Sequence, residues 1–284
     1  MDLSLPPTSF LAPWNVAWDT WEGAPDFSSE HWTAHLCNLL EYHMCHGVIE
    51  PQAEPSSLDM FNGEPVIIAP TSSQRRSFTV NGDRILARIH ASDGFVYVTR
   101  NLLFPTWTTT TLQDVLISND LTTYVSLLET VALAEYILDP NISYTLLAPT
   151  NRGFEQLGDE YLEYLQFTAD GLDDLWRILL YHCIPGEPYP SSLLVAENKV
   201  LISWEGSPLY FNKKEEQEVI CVGTDESTFA DCETSSALIV NTNLLASNGI
   251  AHVLDSVLLI SDLLRYPTIA SLESDAPSST PTEP

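Results

Sequence analysis

Fourteen residues near the end of this chain restate fourteen from its first half. Ser247-Asn-Gly-Ile-Ala-His-Val-Leu-Asp-Ser-Val-Leu-Leu-Ile260 follows the plan of Ser92-Asp-Gly-Phe-Val-Tyr-Val-Thr-Arg-Asn-Leu-Leu-Phe-Pro105. Each has a small polar residue, a glycine turn, an alternating stretch and a closing apolar run. In the later copy Ile250, His252, Leu254 and Ser256 point one way and Ala251, Val253, Asp255 and Val257 the other, as a period of two requires. Asn248-Gly249 and Asp93-Gly94 accept positive φ cheaply, so each predicts a tight turn that hands the chain into a sheet.

Other segments pair in the same order. Phe10 to Trp18, a short strand that runs through a proline turn into a helical turn, matches Leu146 to Phe154. Leu36 to His43 matches Leu175 to His182, each a helix with leucines at helical spacing. Pro13 to Pro149 is 136 residues, His43 to His182 is 139, and Gly94 to Gly249 is 155. Ordered motifs with slowly growing offsets mean one fold used twice. The last increase places an insertion in the second copy, around the acidic stretch Lys213 to Cys232. Met60 to Ile68 reads as strand, turn, strand, and Phe78 to Ile85 as a hairpin about Asn81-Gly82.

Pro105 to Thr111 separates the copies as a linker, and its brevity predicts domains that lie close. Leu112 to Leu138 then predicts a helix capped by Asn119, with Leu121, Val125, Leu128, Ala132 and Glu135 at 3.6 spacing and Tyr124 and Val131 widening the stripe. Nothing in the first copy matches this region, since only nine residues precede Phe10. The expectation is a first domain that begins part-way through the fold, weakened by an uncovered core face, or a true start upstream. Ser271 to Pro284 is rich in Ser, Pro, Thr and Glu and is expected to be disordered.

Charge narrows the partners. With 39 acidic against 11 basic residues the formal charge is −28, which repels phosphate backbones and anionic headgroups and argues against nucleic acid and lipid surfaces. The run Val253 to Leu264 is broken by Asp255 and Asp262 and is too short to cross a bilayer, so no direct membrane insertion is expected. The start, Met1-Asp-Leu-Ser-Leu-Pro-Pro7, lacks a basic region and an apolar core, so the expectation is an intracellular chain or one that has lost its leader.

Leu-Ala-Pro-Thr-Asn-x-x-Phe, Leu-Leu-x-Tyr-His and Ser-Asn-Gly-x-x-x-Val-Leu-Asp-x-Val-Leu together resemble the fasciclin domain of secreted and cell-surface adhesion proteins. The resemblance covers nearly the whole chain: an N-terminally incomplete copy over 1–105, a linker over 106–111, a full copy over 112–264 and a tail over 265–284. It implies an α+β fold in which each domain is a wedge-shaped β-sandwich flanked by helices. It also implies extracellular or cell-surface adhesion or matrix association, with protein or glycan partners, no cofactor and no catalytic residue. The Tyr-His pair that animal members use in integrin binding is present as Tyr42-His43 and Tyr181-His182. Their Asp-Ile pair is not matched, because Arg88-Ile89 and Asn243-Leu244 stand at those positions.

Read from the residues themselves, His43 and His182 fall on the apolar face at a helix C-terminus, where loose carbonyls need donors and the dipole favours a cation. Burial with a structural role is expected for both, with Tyr42 and Tyr181 the more exposed contact candidates. Asn141-Ile-Ser143 is the sole glycosylation sequon and matters only in a secreted chain. Of five cysteines, Cys37 and Cys45 are too far apart to bridge and Cys183 reads as core. Cys221 and Cys232 flank the insertion as a disulfide or a free-thiol pair. No Cys-x-x-Cys spacing favours zinc, and no Asp-x-Asp-x-Asp-Gly loop favours calcium. No Gly-x-Ser-x-Gly elbow, phosphate loop or His-Glu-x-x-His helix favours catalysis. The competing readings are an intracellular or cell-wall structural protein of the same fold that binds polysaccharide, and a hydrolase.

Overall fold

The computed structural model describes residues 8–50, 52–71, 78–196, 200–214, 219–224 and 237–260. Contacts divide the chain into two compact units. One holds the chain up to Val115 with Glu187–Pro190 and Asn243–Ile250, and the other holds Leu116–Gly186, Ser191–Thr242 and the chain from Ala251 onward.

The first copy runs β1 (Thr8–Pro13), α1 (Asn15–Asp19), a 3₁₀ turn at Glu30–Trp32, α2 (Thr33–Glu41), β2 (Met44–His46), β3 (Ser56–Asp59), β4 (Pro65–Pro70), β5 (Phe78–Val80), β6 (Asp83–Ala91) and β7 (Gly94–Thr99). After a second 3₁₀ turn at Thr106–Thr108 come α3 (Leu112–Ser118), α4 (Thr122–Thr130), α5 (Ala134–Ile137), β8 (Tyr144–Pro149), α6 (Asn151–Glu155), α7 (Asp159–Phe167), α8 (Ala169–Tyr181) and β9 (Cys183–Pro185). The chain then continues through α9 (Ser191–Leu194), β10 (Val200–Ile202), β11 (Pro208–Lys214), β12 (Val219–Gly223), β13 (Ala237–Ala246) and β14 (Gly249–Leu254). The sheet orders are β2-β1-β7-β6-β5-β4-β3 and β9-β8-β14-β13-β12-β11-β10, the same topology strand for strand. The tandem α+β organisation expected from the repeats is therefore present.

In the first copy β6 makes the sandwich. Its residues Asp83 and Arg84 pair with β5, while Ile85 to Ala91 pair with β7 across an irregularity between Ile85 and Ala87. Strands far apart in the sheet order then face each other. Leu11 of β1 and Tyr97 of β7 share one buried cluster with Val66, Ile68, Phe78 and Val80 of β4 and β5, and the Phe78 and Tyr97 rings lie 5.6 Å apart. A sheet that folds over itself buries both inner faces in one core.

The backbone carries the turn chemistry read from the sequence, with one change. Asn81 and Gly82 both have positive φ, 49° and 82°, as a two-residue hairpin between β5 and β6 requires. Gly249 has φ 147°, but Gly94 is needed for a different reason: a Cβ there would overlap the Thr8 carbonyl of the parallel neighbour β1. The insertion lies between β12 and β13, where 13 residues replace the two-residue Asn81-Gly82 turn. Residues 225–236 of it, and the tail, lie outside the described residues.

The helix expected beyond Asn119, over Leu121 to Glu135, is instead two, α4 and α5, with α3 before them. Asp120 and Ala132 take left-handed conformations, φ 59° and 56°, which interrupt the ladder between α3 and α4 and between α4 and α5. Asn119 does not cap α4. The carboxamide oxygen of the distant Asn151 accepts from the Thr123 N–H at 2.9 Å instead. In the first unit, Ala17, Leu39, Leu102 and Trp107 are buried together with Trp21 and Phe27 against them. Trp107, inside the expected linker, is thus a core residue.

Candidate functional site

The two Tyr-His pairs occupy the same place in the two copies. α2 ends two residues before His43 and α8 one residue before His182, and after each histidine the chain turns at once into β2 or β9. His43 Nδ1 donates to the Leu39 carbonyl at 2.7 Å, and its Nε2 accepts from the Leu103 N–H at 3.1 Å. His182 Nδ1 donates to the Ile178 carbonyl at 2.7 Å, and its Nε2 accepts from the Leu258 N–H at 3.0 Å. The acceptor on one side and the donor on the other fix a neutral ring protonated on Nδ1. Each histidine ties the last turn of a helix to the apolar run after the repeated strand. The backbone follows suit: Leu11 N–H donates to the His43 carbonyl at 2.8 Å and Leu147 N–H to the His182 carbonyl at 2.9 Å.

Burial sets the electrostatics. It pushes His182 down to about 4, against a smaller opposing effect of the Ile178 carbonyl, and it lowers His43 in the same way. A cation favoured by the helix dipole, which the sequence position allowed, is outweighed by desolvation. Both ring nitrogens already serve the backbone, so neither ring offers a nitrogen for proton transfer.

The tyrosines differ from expectation. Tyr42 and Tyr181 are 5% and 1% exposed, not the open contact residues read from helix faces. Their hydroxyls turn inward to the equivalent carbonyls of Pro65, at 3.4 Å, and Pro208, at 2.9 Å. The reason is position: each tyrosine closes its helix where the chain bends into the sheet, so its ring is swept under the following turn. Asn141 lies on the surface before β8, with its carboxamide on Asp139 at 2.8 Å. Cys37, Cys45 and Cys183 are free thiols. Cys221 is buried on β12, and its expected partner Cys232 lies outside the described residues. Among the described residues no group of three or more His, Cys, Asp or Glu is placed to hold a metal ion, and no helix is long and apolar enough to cross a membrane.

An aromatic cleft in the second unit was not read from the sequence. Val131, Ala132, Leu133, Tyr136, Trp176, Leu180 and Trp204 line a volume of about 480 Å³. The break between α4 and α5 forms one wall. α8 forms the floor, because Trp176 and Leu180 at i and i+4 face the same side. Trp204 is set by its backbone N–H, which donates to the Cys183 carbonyl at 2.7 Å, and by stacking on Tyr144 at 5.3 Å. Its residues come from three separated segments, so no local pattern could have announced it.

Two sheets of one topology, each pinned by a neutral histidine, define a tandem α+β sandwich protein. The fasciclin domain model matches residues 119–260, half of the chain, and the chain belongs to the fasciclin domain family. It is 28% identical over 285 residues to the transforming growth factor-beta-induced protein ig-h3 of Sus scrofa, covering 95% of this chain and 37% of that one. It is 28% identical over 140 residues to periostin of Homo sapiens, covering 49% of this chain and 15% of periostin. Protein sll1483 of Synechocystis is 27% identical over 151 residues, 52% of this chain and 73% of its own. A solved FAS1 domain pair from the insect cell adhesion molecule fasciclin I aligns with TM-score 0.49 and 16% identity, over 91% of this chain and 90% of that one. The chain therefore spans well under half of periostin and of ig-h3.

Proposed function

We propose that this chain is a non-enzymatic adhesion or matrix-interaction protein, extracellular or at the cell surface, whose fasciclin domains present rigid surfaces to proteins or glycans. One observation carries the reading. The two histidines of the Tyr-His pairs, His43 and His182, are spent on internal backbone ties, while large aromatic side chains of the second unit stay open to water. Family membership supports it. In this account Tyr42, His43, Tyr181 and His182 are positioning residues that hold binding surfaces in shape. Cell attachment to wells coated with the full chain tests it: attachment above an albumin control is expected, and attachment equal to albumin sinks it. If attachment is lost in His182→Ala while melting is unchanged, the histidine is a contact and the positioning role is wrong.

Two accompanying predictions bear on compartment. Secreted from eukaryotic cells, the protein is expected to carry one N-glycan, seen as a mass loss on glycosidase treatment and absent in Asn141→Gln. A secreted product without it contradicts the assignment of Asn141. A Cys221 to Cys232 bridge leaves only Cys37, Cys45 and Cys183 to react. A thiol reagent is therefore expected to label three of the five cysteines in unreduced, denatured protein and all five after reduction. Five labelled before reduction would show the free-thiol pair instead.

A further inference from the structure

We propose that the aromatic cleft of the second unit docks an apolar peptide segment of a partner protein flanked by lysine or arginine. This rests on the binding role argued above and names its partner chemistry. Tyr136, Trp176 and Trp204 remain 62%, 44% and 39% exposed around one cleft, and folded chains rarely leave large aromatic rings grouped in water without a use. A volume of about 480 Å³ is that of a ligand site. Trp and Tyr are also the residues that dominate interface energetics, because they bury much area and lose little rotamer freedom.

The lining excludes other ligands. It carries no charged side chain, and its side-chain polar atoms are one phenol and two indole N–H groups. A sugar would leave hydroxyls unpaired there, at a cost that apolar side chains do not incur. The rim selects the flanks. Exposed Glu129 and Glu135 bracket the wall at Val131 to Leu133, and exposed Asp173 lies one turn before Trp176 on α8. The nearby cation Arg177 is committed to Glu205 at 2.9 Å. Basic flanks are attracted to such a rim, and anionic amphiphiles are repelled. The first copy has Cys37, Glu41 and Phe61 at the matching positions, so the site belongs to the second copy alone.

The test is selection of a random peptide phage library on the full chain, with counter-selection on Trp176→Ala, and on Tyr136→Ser should Trp176→Ala melt lower than the parent. Enriched peptides are expected to combine aromatic or aliphatic residues with adjacent lysine or arginine. They should bind about tenfold weaker to the variant, the loss of one hot-spot residue, and weaken again as salt rises from about 50 to about 500 mM. Enrichment that ignores Trp176 and Tyr136, peptides without basic residues, or no enrichment overturns the proposal. So does laurate filling the cleft in place of peptide, or a concentration-dependent dimer that Trp176→Ala abolishes. Cell attachment that survives any of these results leaves the adhesion reading standing and removes only the cleft.

Discussion

His182→Ala is expected to lower the stability of the protein by about 4 kcal/mol, read as a shift of the urea midpoint. The substitution removes the donor to Ile178 and the acceptor for the Leu258 N–H. A buried group left unpaired costs about 1–3 kcal/mol, and the emptied space, enclosed because His182 is fully buried, adds a cavity cost of about 1–2 kcal/mol. His43→Ala should act the same way on the first copy through Leu39 and Leu103. A loss under about 1 kcal/mol at His182 would mean that the ring is not the tie between helix and sheet described above.

Mild acid is expected to destabilise the fold through its buried histidines. Burial holds His182 at about 4 and His35, whose Nε2 lies 3.1 Å from the carbonyls of Ala246 and Gly249, also at about 4. In the unfolded chain each titrates near 6.5, so between about 6.5 and 4 the unfolded state takes up protons that the folded state refuses. The stabilisation is fully present above the unfolded value and is lost as pH falls toward the folded one. From pH 7 to pH 5 the loss is about 2 kcal/mol for each of the two histidines. Carboxylate protonation works the other way by relieving repulsion among 39 acidic residues, so the comparison must be internal. The stability difference between the parent and His182→Asn should shrink by about 2 kcal/mol over that range, and an unchanged difference would contradict the neutral buried ring.

The repeat was legible because its signals are local. Alternation after Asn248-Gly249, the Asn81-Gly82 hairpin and leucines spaced before His43 and His182 each report one element, and their common order reported the duplication. The histidines' burial was legible for the same reason, since the apolar face of a helix lies within a few residues. What was not legible depends on distant partners. No neighbour of Ala132 announces a left-handed residue, so α4 and α5 read as one helix. Tyr42 and Tyr181 looked exposed because helix periodicity alone does not show that the turn into the sheet covers the end of the helix. The cleft needs Trp176 and Trp204 brought beside Val131 to Tyr136, a juxtaposition that only the fold supplies.

Histidine nitrogen NMR at about pH 6 tests most directly whether one frame is built twice. Among the seven histidines, the signals lost in His43→Gln and in His182→Gln should both be neutral rings protonated on Nδ1, each with an Nε2 that accepts a hydrogen bond. If the two rings differ in tautomer, or either is a cation at that pH, the copies do not share a frame and the account fails.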